Sequence, residues 1–339
     1  MNPATLRDAL ARFPRLPFVH APTPVEPLPR LREALGGGPH LLIKRDDAIA
    51  FGFGGNKVRK LAFVAARAQA DGADTLITAG GVQSNHARAT AAAAAKLGMR
   101  AVLVANGVRP ARPTANALLD RLLGAEVEYV SARGERSARM AEIADRLRRE
   151  GHRPFVIPVG ASTPLGALGY VGAILELCDQ IPAPDVIVHA TSSGGTQAGL
   201  VAGCRLLGLP TRIVGISADE PSAVLRASIG ALVSGIADLF DAGGDLESVM
   251  GDPERLALHR VDPAAIEVDD GFVGEGYGIP TDASNEAIDL AAGCEAIFLD
   301  PTYTAKAMAG LIARVRGREF GEAGTVLFWH TGGQVGLFA

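Results

Sequence analysis

The sequence predicts an α/β fold with two open, twisted, mostly parallel sheets and a cleft between them. Short apolar runs alternate with amphipathic helical patterns along the 339 residues, and this alternation is typical of βαβ units. The pattern contains about nine strands, more than one open sheet comfortably holds, so two sheet layers fit best. A chain of this length can also form two domains and bury a large core.

Each element follows from its local pattern. Short apolar runs between turn residues predict strands, and apolar residues at offsets of three and four predict helices. The predicted strands cover residues 41–44, 75–78, 101–104, 126–130, 154–157, 185–189, 212–216, 297–299 and 325–329. The predicted helices cover residues 57–71, 85–97, 114–123, 136–150, 164–179, 196–207, 282–292 and 303–317.

Two segments are predicted to be irregular. Residues 14–40 are rich in Pro and Gly and form an arm with one short helix at 31–35. Residues 218–275 have the weakest periodicity in the chain. Within them, residues 241–270 are rich in Gly, Asp and Pro, and we expect a long surface excursion or a mobile cover there.

The composition favours a cytoplasmic globular protein. An apolar content of 48% argues against disorder, and a formal net charge of −4 gives no electrostatic reason to expect nucleic acid or membrane partners. The N-terminus has no continuous apolar core of a secretory signal. The cysteines lack zinc-site spacing, and His189 and His330 each end an apolar strand, so we expect no metal site.

The glycine-rich stretch 52–61, Gly-Phe-Gly-Gly-Asn-Lys-Val-Arg-Lys-Leu, is the most informative part of the sequence. Asn56 is a good helix N-cap, which puts Lys57 at or near the first helical position. The positive end of the helix dipole disfavours an ammonium group there. The position therefore suits a lysine that reacts as a neutral amine or forms an imine, although an ordinary surface lysine is the alternative.

Residues 78–86, Thr-Ala-Gly-Gly-Val-Gln-Ser-Asn-His, follow a strand and open a helix. The free backbone amides of a helix start favour an anion such as a carboxylate. Ser84, Asn85 and His86 add side-chain hydrogen-bonding groups at the same place. Simple capping by Ser84 or Asn85 is the alternative.

Residues 191–199, Thr-Ser-Ser-Gly-Gly-Thr-Gln-Ala-Gly, also join a strand to a helix. The stretch matches neither a Walker A loop nor a dinucleotide fingerprint. Small residues, hydroxyl groups and a helix N-terminus nevertheless make a phosphate cradle. A tight strand–helix turn without a ligand explains the same residues equally well.

Hydroxyl groups recur near the C-terminus. Tyr277 lies in a Gly-Tyr-Gly-Ile-Pro turn, and Tyr303 lies at a helix start. The last strand ends in Trp-His-Thr-Gly-Gly at 329–333, on the usual ligand side of an open α/β sheet. A lysine, an anion site, a phosphate cradle and these hydroxyls together suit one cofactor, pyridoxal 5′-phosphate.

Six ordered motifs resemble one family over nearly the whole chain, the D-cysteine desulfhydrase and 1-aminocyclopropane-1-carboxylate deaminase family. This resemblance implies the tryptophan-synthase-β-like fold of fold-type II pyridoxal-phosphate enzymes and a homodimer. It also divides the chain into a large cofactor domain at 1–56 and 171–339 and a smaller domain at 57–170. The motifs cover residues 54–61, 83–86, 194–199, 276–280, 300–303 and 330–333.

The resemblance assigns roles to individual residues. The implied cofactor-binding residues are Lys57, which forms the Schiff base, Asn85 at the pyridine hydroxyl, Gly194, Gly195 and Thr196 at the phosphate, and Thr331 facing the pyridine nitrogen. The implied catalytic residues are Lys57, Ser84, Tyr277 and Tyr303. The expected substrate-binding residues are Ser84, Asn85, His86 and Thr304.

Three departures favour the desulfhydrase branch. Family members that open the cyclopropane ring have Gln where this chain has His86. They have Glu where it has Thr304, and an apolar residue where it has Thr331. Without that Glu, a negative partner that would keep the pyridine nitrogen protonated is lost. This suits β-elimination, in which the leaving group takes the electrons. We expect Lys57 or a neighbouring hydroxyl to remove the Cα proton and Tyr303 or Tyr277 to help sulfide leave.

Other functions are compatible with parts of the pattern. L-Cysteate sulfo-lyases share a run like 274–281, and their sulfonate substrate should need a cationic pocket, for which Arg109 and Arg112 are candidates. 1-Aminocyclopropane-1-carboxylate deamination is the less favoured enzymatic alternative. A protein that binds pyridoxal phosphate or an amino acid without turnover is the alternative from another class.

Overall fold

The computed structural model describes residues 1–20, 22–241, 258–259, 261–321 and 323–339. The strands are β1 Val25–Pro27, β2 His40–Arg45, β3 Thr75–Gly81, β4 Arg100–Asn106, β5 Glu126–Val130, β6 Pro154–Val156, β7 Val186–Thr191, β8 Arg212–Ser217, β9 Glu267–Asp269 and β10 Thr325–His330. The helices are α1 Pro3–Ala11, α2 Pro29–Ala34, α3 Asn56–Ala70, α4 Asn85–Leu97, α5 Ala115–Leu122, α6 Arg136–Arg149, α7 Pro164–Gln180, α8 Gly195–Leu206, α9 Ser222–Asp241, α10 Asp282–Glu295 and α11 Thr304–Arg316.

The strands form two sheets, as predicted. The larger sheet has the order β1-β2-β10-β7-β8-β9, in which β1 is antiparallel to β2 and the other pairs are parallel. The smaller sheet, β5-β4-β3-β6, is parallel throughout. Parallel strands need both faces covered, which explains why every residue of β7 is buried.

Closely packed helices fix the position of α3, which carries Lys57. A Cβ on Gly169 of α7 would lie 2.4 Å from the Arg59 carbonyl oxygen of α3. A Cβ on Gly199 of α8 would lie 2.3 Å from the Ala167 carbonyl oxygen of α7. Only glycine allows this backbone approach, so α3, α7 and α8 form one tightly packed layer.

The strand predicted at residues 297–299 is wrong. Ile297 and Leu299 are buried and Phe298 is exposed, which imitates the alternation of a strand. No described strand pairs with this segment, which instead connects α10 to α11. Conversely, β1 and β9 have only three residues each, too few to show periodicity.

The prediction that residues 218–275 are irregular is wrong at its start. Helix α9 occupies 222–241 and buries an apolar stripe, and residues 267–269 form β9. The stripe consists of Leu225, Ile229, Val233, Ile236 and Phe240. Most of the excursion predicted at 241–270 lies outside the described residues, because 242–257 and 260 are not described.

Helix α9 is long and apolar enough, by length and composition alone, to cross a membrane. Core helices of globular proteins meet the same criterion, and here the stripe of α9 packs in the core with α7 and α8. The strands of the smaller sheet all lie within 57–170 and those of the larger sheet outside it. The domain boundaries themselves stay a prediction.

Candidate active site

A cleft lies where the carboxyl ends of β7 and β10 face the first residues of α3, α4 and α8. Ligands bind at this end of the strands in parallel α/β sheets. Side chains from both sheet layers line it, since α4 follows β3 of the smaller sheet. Six residues predicted from the sequence line the cleft: Lys57, Asn85, Gly194, Thr196, Tyr303 and Thr331.

Lys57 is the second residue of α3 and is partly buried in the cleft wall. Burial lowers the pKa of its amine to about 8, against the opposing effect of Asp300 and Asp219. Desolvation is thus the main physical cause of the lowered pKa, whereas the sequence suggested the helix dipole. A sizeable fraction of this amine is neutral near physiological pH.

Gly55, and not Asn56, is the N-cap residue of α3. Its φ of 93° and the Thr331 carbonyl oxygen, 2.9 Å from where a Cβ would lie, require glycine. The Asn56 side chain is thereby free to donate a hydrogen bond to Thr196 Oγ1 at 2.9 Å. This contact joins the start of α3 to the start of α8.

Lys60 is a candidate site residue that the sequence did not single out. Its amine is fully buried, and it donates a hydrogen bond to Ser162 Oγ at 3.3 Å. Burial and the neighbouring charge of Lys57 lower its pKa well below the usual value. The spacing of Lys57 and Lys60, three residues apart on a helix, was the available signal, because such residues share one face.

The start of α8 forms an anion site next to Lys60. Gly194, with φ 78°, caps the helix, and a Cβ on Gly195 would lie 3.1 Å from Lys60 Nζ. Ser162 Oγ bonds Ser193 Oγ at 2.8 Å and accepts from the Gly195 amide at 3.3 Å. A helix N-terminus, hydroxyl groups and a buried amine therefore lie together, and an anionic phosphate would favour the protonated form of that amine.

Asn85 and Thr331 both line the cleft. Asn85 begins α4, and its Oδ1 accepts a hydrogen bond from Asn116 Nδ2 at 2.8 Å. Thr331 follows β10 and is 7% exposed. The buried Thr191 Oγ1, which also lines the cleft, has no hydrogen-bond partner among the described residues. These polar groups have capacity left for a ligand.

Tyr303 and Tyr277 form a pair at the cleft. Their hydroxyl oxygens are 2.6 Å apart, and the rings meet edge to face. Burial and the neighbouring Tyr277 raise the pKa of Tyr303 well above its ordinary value. Tyr303 therefore stays protonated at neutral pH and can donate a hydrogen bond or a proton.

Five predicted site residues do not belong to the described cleft lining: Ser84, His86, Gly195, Tyr277 and Thr304. Ser84 Oγ caps α4 by accepting from the Ala87 amide at 3.2 Å, which is the capping alternative raised by the sequence. Thr304 Oγ1 donates to the buried Asp300 carboxylate at 2.7 Å. Their predicted substrate contacts stay predictions.

His86 packs behind the cleft. Its Nε2 lies 2.8 Å from Thr78 Oγ1, which donates its own proton to the Ile157 carbonyl oxygen at 2.8 Å. Nε2 must therefore carry a hydrogen and Nδ1 a lone pair. Burial and the charges of Lys57 and Lys60 lower the pKa of His86 well below its usual value, so the ring is neutral.

Arg109 and Arg112, considered for a sulfonate, are exposed in the loop between β4 and α5. Neither belongs to the described cleft lining. The residues that do line the cleft fit pyridoxal phosphate on three independent observations. These are the amine of Lys57 with its lowered pKa, the start of α8 capped by Gly194 close to the Lys60 amine, and the unpartnered Thr191 hydroxyl.

Comparisons with known proteins agree with this fit. Residues 16–332 match the family described as pyridoxal-phosphate dependent enzyme. The chain is 42% identical to D-cysteine desulfhydrase of Salmonella typhimurium, with 97% of each chain covered. A solved structure described as an ACC deaminase homologue is 38% identical, with a TM-score of 0.87 over 100% of this chain and 97% of that one.

Maize serine racemase is 20% identical and superposes with a TM-score of 0.66 over 97% of this chain and 94% of that one. At this identity the likeness concerns the fold alone. The predicted fold class, two mostly parallel α/β layers with a cleft between them, is confirmed, and so is the predicted family resemblance.

Proposed function

Because the chain belongs to the family of pyridoxal-phosphate-dependent enzymes, we propose that it is a carbon–sulfur lyase that converts D-cysteine and water into pyruvate, hydrogen sulfide and ammonia. One observation carries this proposal. The cleft contains an amine of lowered pKa, Lys57, together with a protonated phenol, Tyr303. These are the base and the acid that a β-elimination needs.

The cofactor, when bound, withdraws electrons from the Cα atom of an attached amino acid and so acidifies its proton. Lys60 and the α8 amides would hold the phosphate through charge-assisted hydrogen bonds. Asn85 and Thr331, which both line the cleft, would contact the ring. Lys57 would be the attachment point, since its amine is the reactive nucleophile of the cleft.

Lys57 would accept the Cα proton. With a pKa of about 8, about one amine in ten is neutral at pH 7, far more than for an ordinary lysine. A base of this pKa takes a proton efficiently and returns it without a large barrier.

Tyr303 would protonate the leaving group. The bond between Cβ and sulfur breaks with its electron pair on sulfur, and the Tyr303 hydroxyl gives a proton so that hydrogen sulfide departs. The Tyr277 hydroxyl, 2.6 Å from that of Tyr303, would return a proton to it afterwards. The three-carbon remainder then takes up water to yield pyruvate and ammonia.

Two features favour elimination over ring opening. The D-cysteine desulfhydrase of Salmonella typhimurium is 42% identical over nearly the whole length. In addition, the Thr304 hydroxyl donates to Asp300, so this position carries no negative charge toward the cleft. An anionic residue there would be needed to keep the pyridine nitrogen protonated.

The deciding experiment measures pyruvate release by the purified, cofactor-loaded protein. The panel contains D-cysteine, L-cysteine, β-chloro-D-alanine and L-cysteate, and 1-aminocyclopropane-1-carboxylate is assayed for 2-oxobutyrate. We expect turnover of D-cysteine and β-chloro-D-alanine. Turnover of L-cysteate alone or of the cyclopropane alone would replace the proposed substrate, and a protein that holds the cofactor but turns over nothing would be a binding protein.

We further propose that the enzyme is a cytoplasmic homodimer. The family resemblance supports the dimer, and light scattering of the purified protein would measure its mass. The cytoplasmic location is supported by the free thiols of Cys178, Cys204 and Cys294. Fractionation of the source cells would test it.

A further inference from the structure

The orientation of the Asn85 carboxamide decides what the cleft offers to a ligand. One end of this side chain donates hydrogen bonds and the other accepts them. Asn85 Oδ1 is used, because it accepts from Asn116 Nδ2 at 2.8 Å. Its Nδ2 lies toward Gly333, at 2.9 Å from where a Cβ of that residue would be.

Two groups of fixed polarity determine the orientation of Asn116. Its Nδ2 also donates to the Gln83 backbone carbonyl at 2.9 Å, and a carbonyl can only accept. Its Oδ1 accepts from Arg88 Nε at 3.2 Å, and a guanidinium can only donate. Asn116 is therefore unable to flip without losing both bonds, and Asn85 is unable to flip while Asn116 stays.

Arg88 connects this pair to the loop before Lys57. It is 1% exposed and donates to the carbonyl oxygens of Gly52 and Gly54, the latter at 3.1 Å. No carboxylate lies within 4.0 Å of it in the part of the chain that the structure describes. The nearest acid in its environment is Asp120, whose pKa burial raises to about 7. The hydrogen bonds of Arg88 thus hold Asn116 and the glycine-rich loop before Lys57.

We propose that Asn116 is a positioning residue, held by Arg88 and Gln83, that turns the amino end of Asn85 toward the bound cofactor. The proposal rests on the assigned cofactor and on the predicted contact of Asn85 with it. It does not depend on which amino acid is the substrate. In this proposal Asn116 affects the cofactor only through Asn85. Replacing Asn85 should therefore abolish the effect of replacing Asn116.

The test is Asn116→Asp. A carboxylate at this position pairs with Arg88 but has no hydrogen to give to Asn85 Oδ1. Asn85 then turns its amino end to the carboxylate and presents an acceptor to the cofactor. We expect the dissociation constant of pyridoxal phosphate, measured by fluorescence titration of the apoprotein, to rise about tenfold or more, with a shift of the bound cofactor's absorption band.

A double-mutant cycle separates positioning from a general structural role. In the Asn85→Ala background, Asn116→Asp should change cofactor affinity by less than about twofold, because the residue that transmits the effect is missing. Equal losses in both backgrounds, or no loss in either, would overturn the proposal. If the charged variant does not fold, Asn116→Ala removes the same donor without adding charge, and the same cycle applies.

These measurements use cofactor affinity and absorbance, so they do not depend on turnover. Failure of D-cysteine as a substrate would leave the cycle unchanged. If the effects of the Asn116 and Asn85 substitutions on cofactor affinity are additive and D-cysteine turnover is intact, only the role of Asn116 is refuted.

Discussion

Two faces of α3 treat buried positive charge in opposite ways. On one face, Arg59 forms ion pairs with Asp46 at 2.8 Å and with Glu176 at 2.9 Å. On the other face lie Lys57 and Lys60, and no carboxylate of the described residues is within 4.0 Å of either amine. The same helix thus carries one guanidinium paired with carboxylates and two amines that have no carboxylate partner.

The difference separates a structural charge from a functional one. Burial alone would lower the pKa of Arg59, but the carboxylates of Asp46 and Glu176 outweigh it and raise that pKa. The Asp46 carboxylate also accepts from Trp329 Nε1 at 2.9 Å and from the Tyr170 hydroxyl. This saturated network fixes α3 against β10 and α7. The unpaired lysines, whose pKa values fall, remain available to an anionic ligand.

The largest expected effect is on the functional face. Lys57→Ala should reduce D-cysteine turnover about 10³-fold or more, because it removes both the attachment point and the base. Unfolding of the variant by urea should match that of the unmodified apoprotein, since an unpaired amine stabilises little. Methylamine added to the variant should restore part of the rate, whereas full turnover without added amine would remove Lys57 from the mechanism.

The next effect concerns the structural face. Asp46→Asn should lower the free energy of unfolding by about 3–5 kcal/mol, because it leaves a buried guanidinium with one partner instead of two. The matched control is Asp71→Asn, which breaks the exposed 2.9 Å pair with Arg67 at the other end of α3. That change should cost at most about 1 kcal/mol. Similar losses of unfolding free energy in the two variants would show that burial does not make the Arg59 ion pair more important than an exposed one.

A third change should separate stability from binding. Lys60→Met removes a buried amine that has no carboxylate partner, so the apoprotein should be as stable as before or more stable. Cofactor affinity should fall about 10–100-fold with the lost charge-assisted bond to phosphate. Lys96→Met, at an exposed lysine of α4, is the control and should change neither property. A destabilised apoprotein with normal cofactor affinity would contradict the assignment of Lys60.

The sequence was sufficient where the determinants are local. Turn residues, helix starts and apolar periodicity located Lys57, Asn85 and the start of α8, because each depends on a few neighbouring residues. The same local rules were misleading at 297–299, where alternating burial arises from a connection and not from strand pairing.

The paired network could not be read from the sequence. Arg59 meets Asp46 across 13 positions of the chain and Glu176 across 117, and only the tertiary fold brings them together. The role of Lys60 was missed for the same reason, since Ser162 and the start of α8 lie far away along the chain. Ser84 and Thr304 were expected to bind substrate, but local hydrogen bonds already use their hydroxyls. Ser84 caps α4, and Thr304 donates to Asp300.

The smallest effect tests the electrostatic origin of the contrast. The pKa of Lys57 is about 8 in the folded apoprotein and 10.5 for an ordinary lysine, so the unfolded chain binds more protons between these values. Folding stability should therefore rise with pH in this window, by about 1 kcal/mol from about pH 8 to pH 9. Urea unfolding of the apoprotein at the two pH values measures it, and Lys57→Met should lose that increment. An equal rise in stability in both proteins would mean that the pKa of Lys57 is not lowered by desolvation. The two faces of α3 would then not differ in their electrostatics.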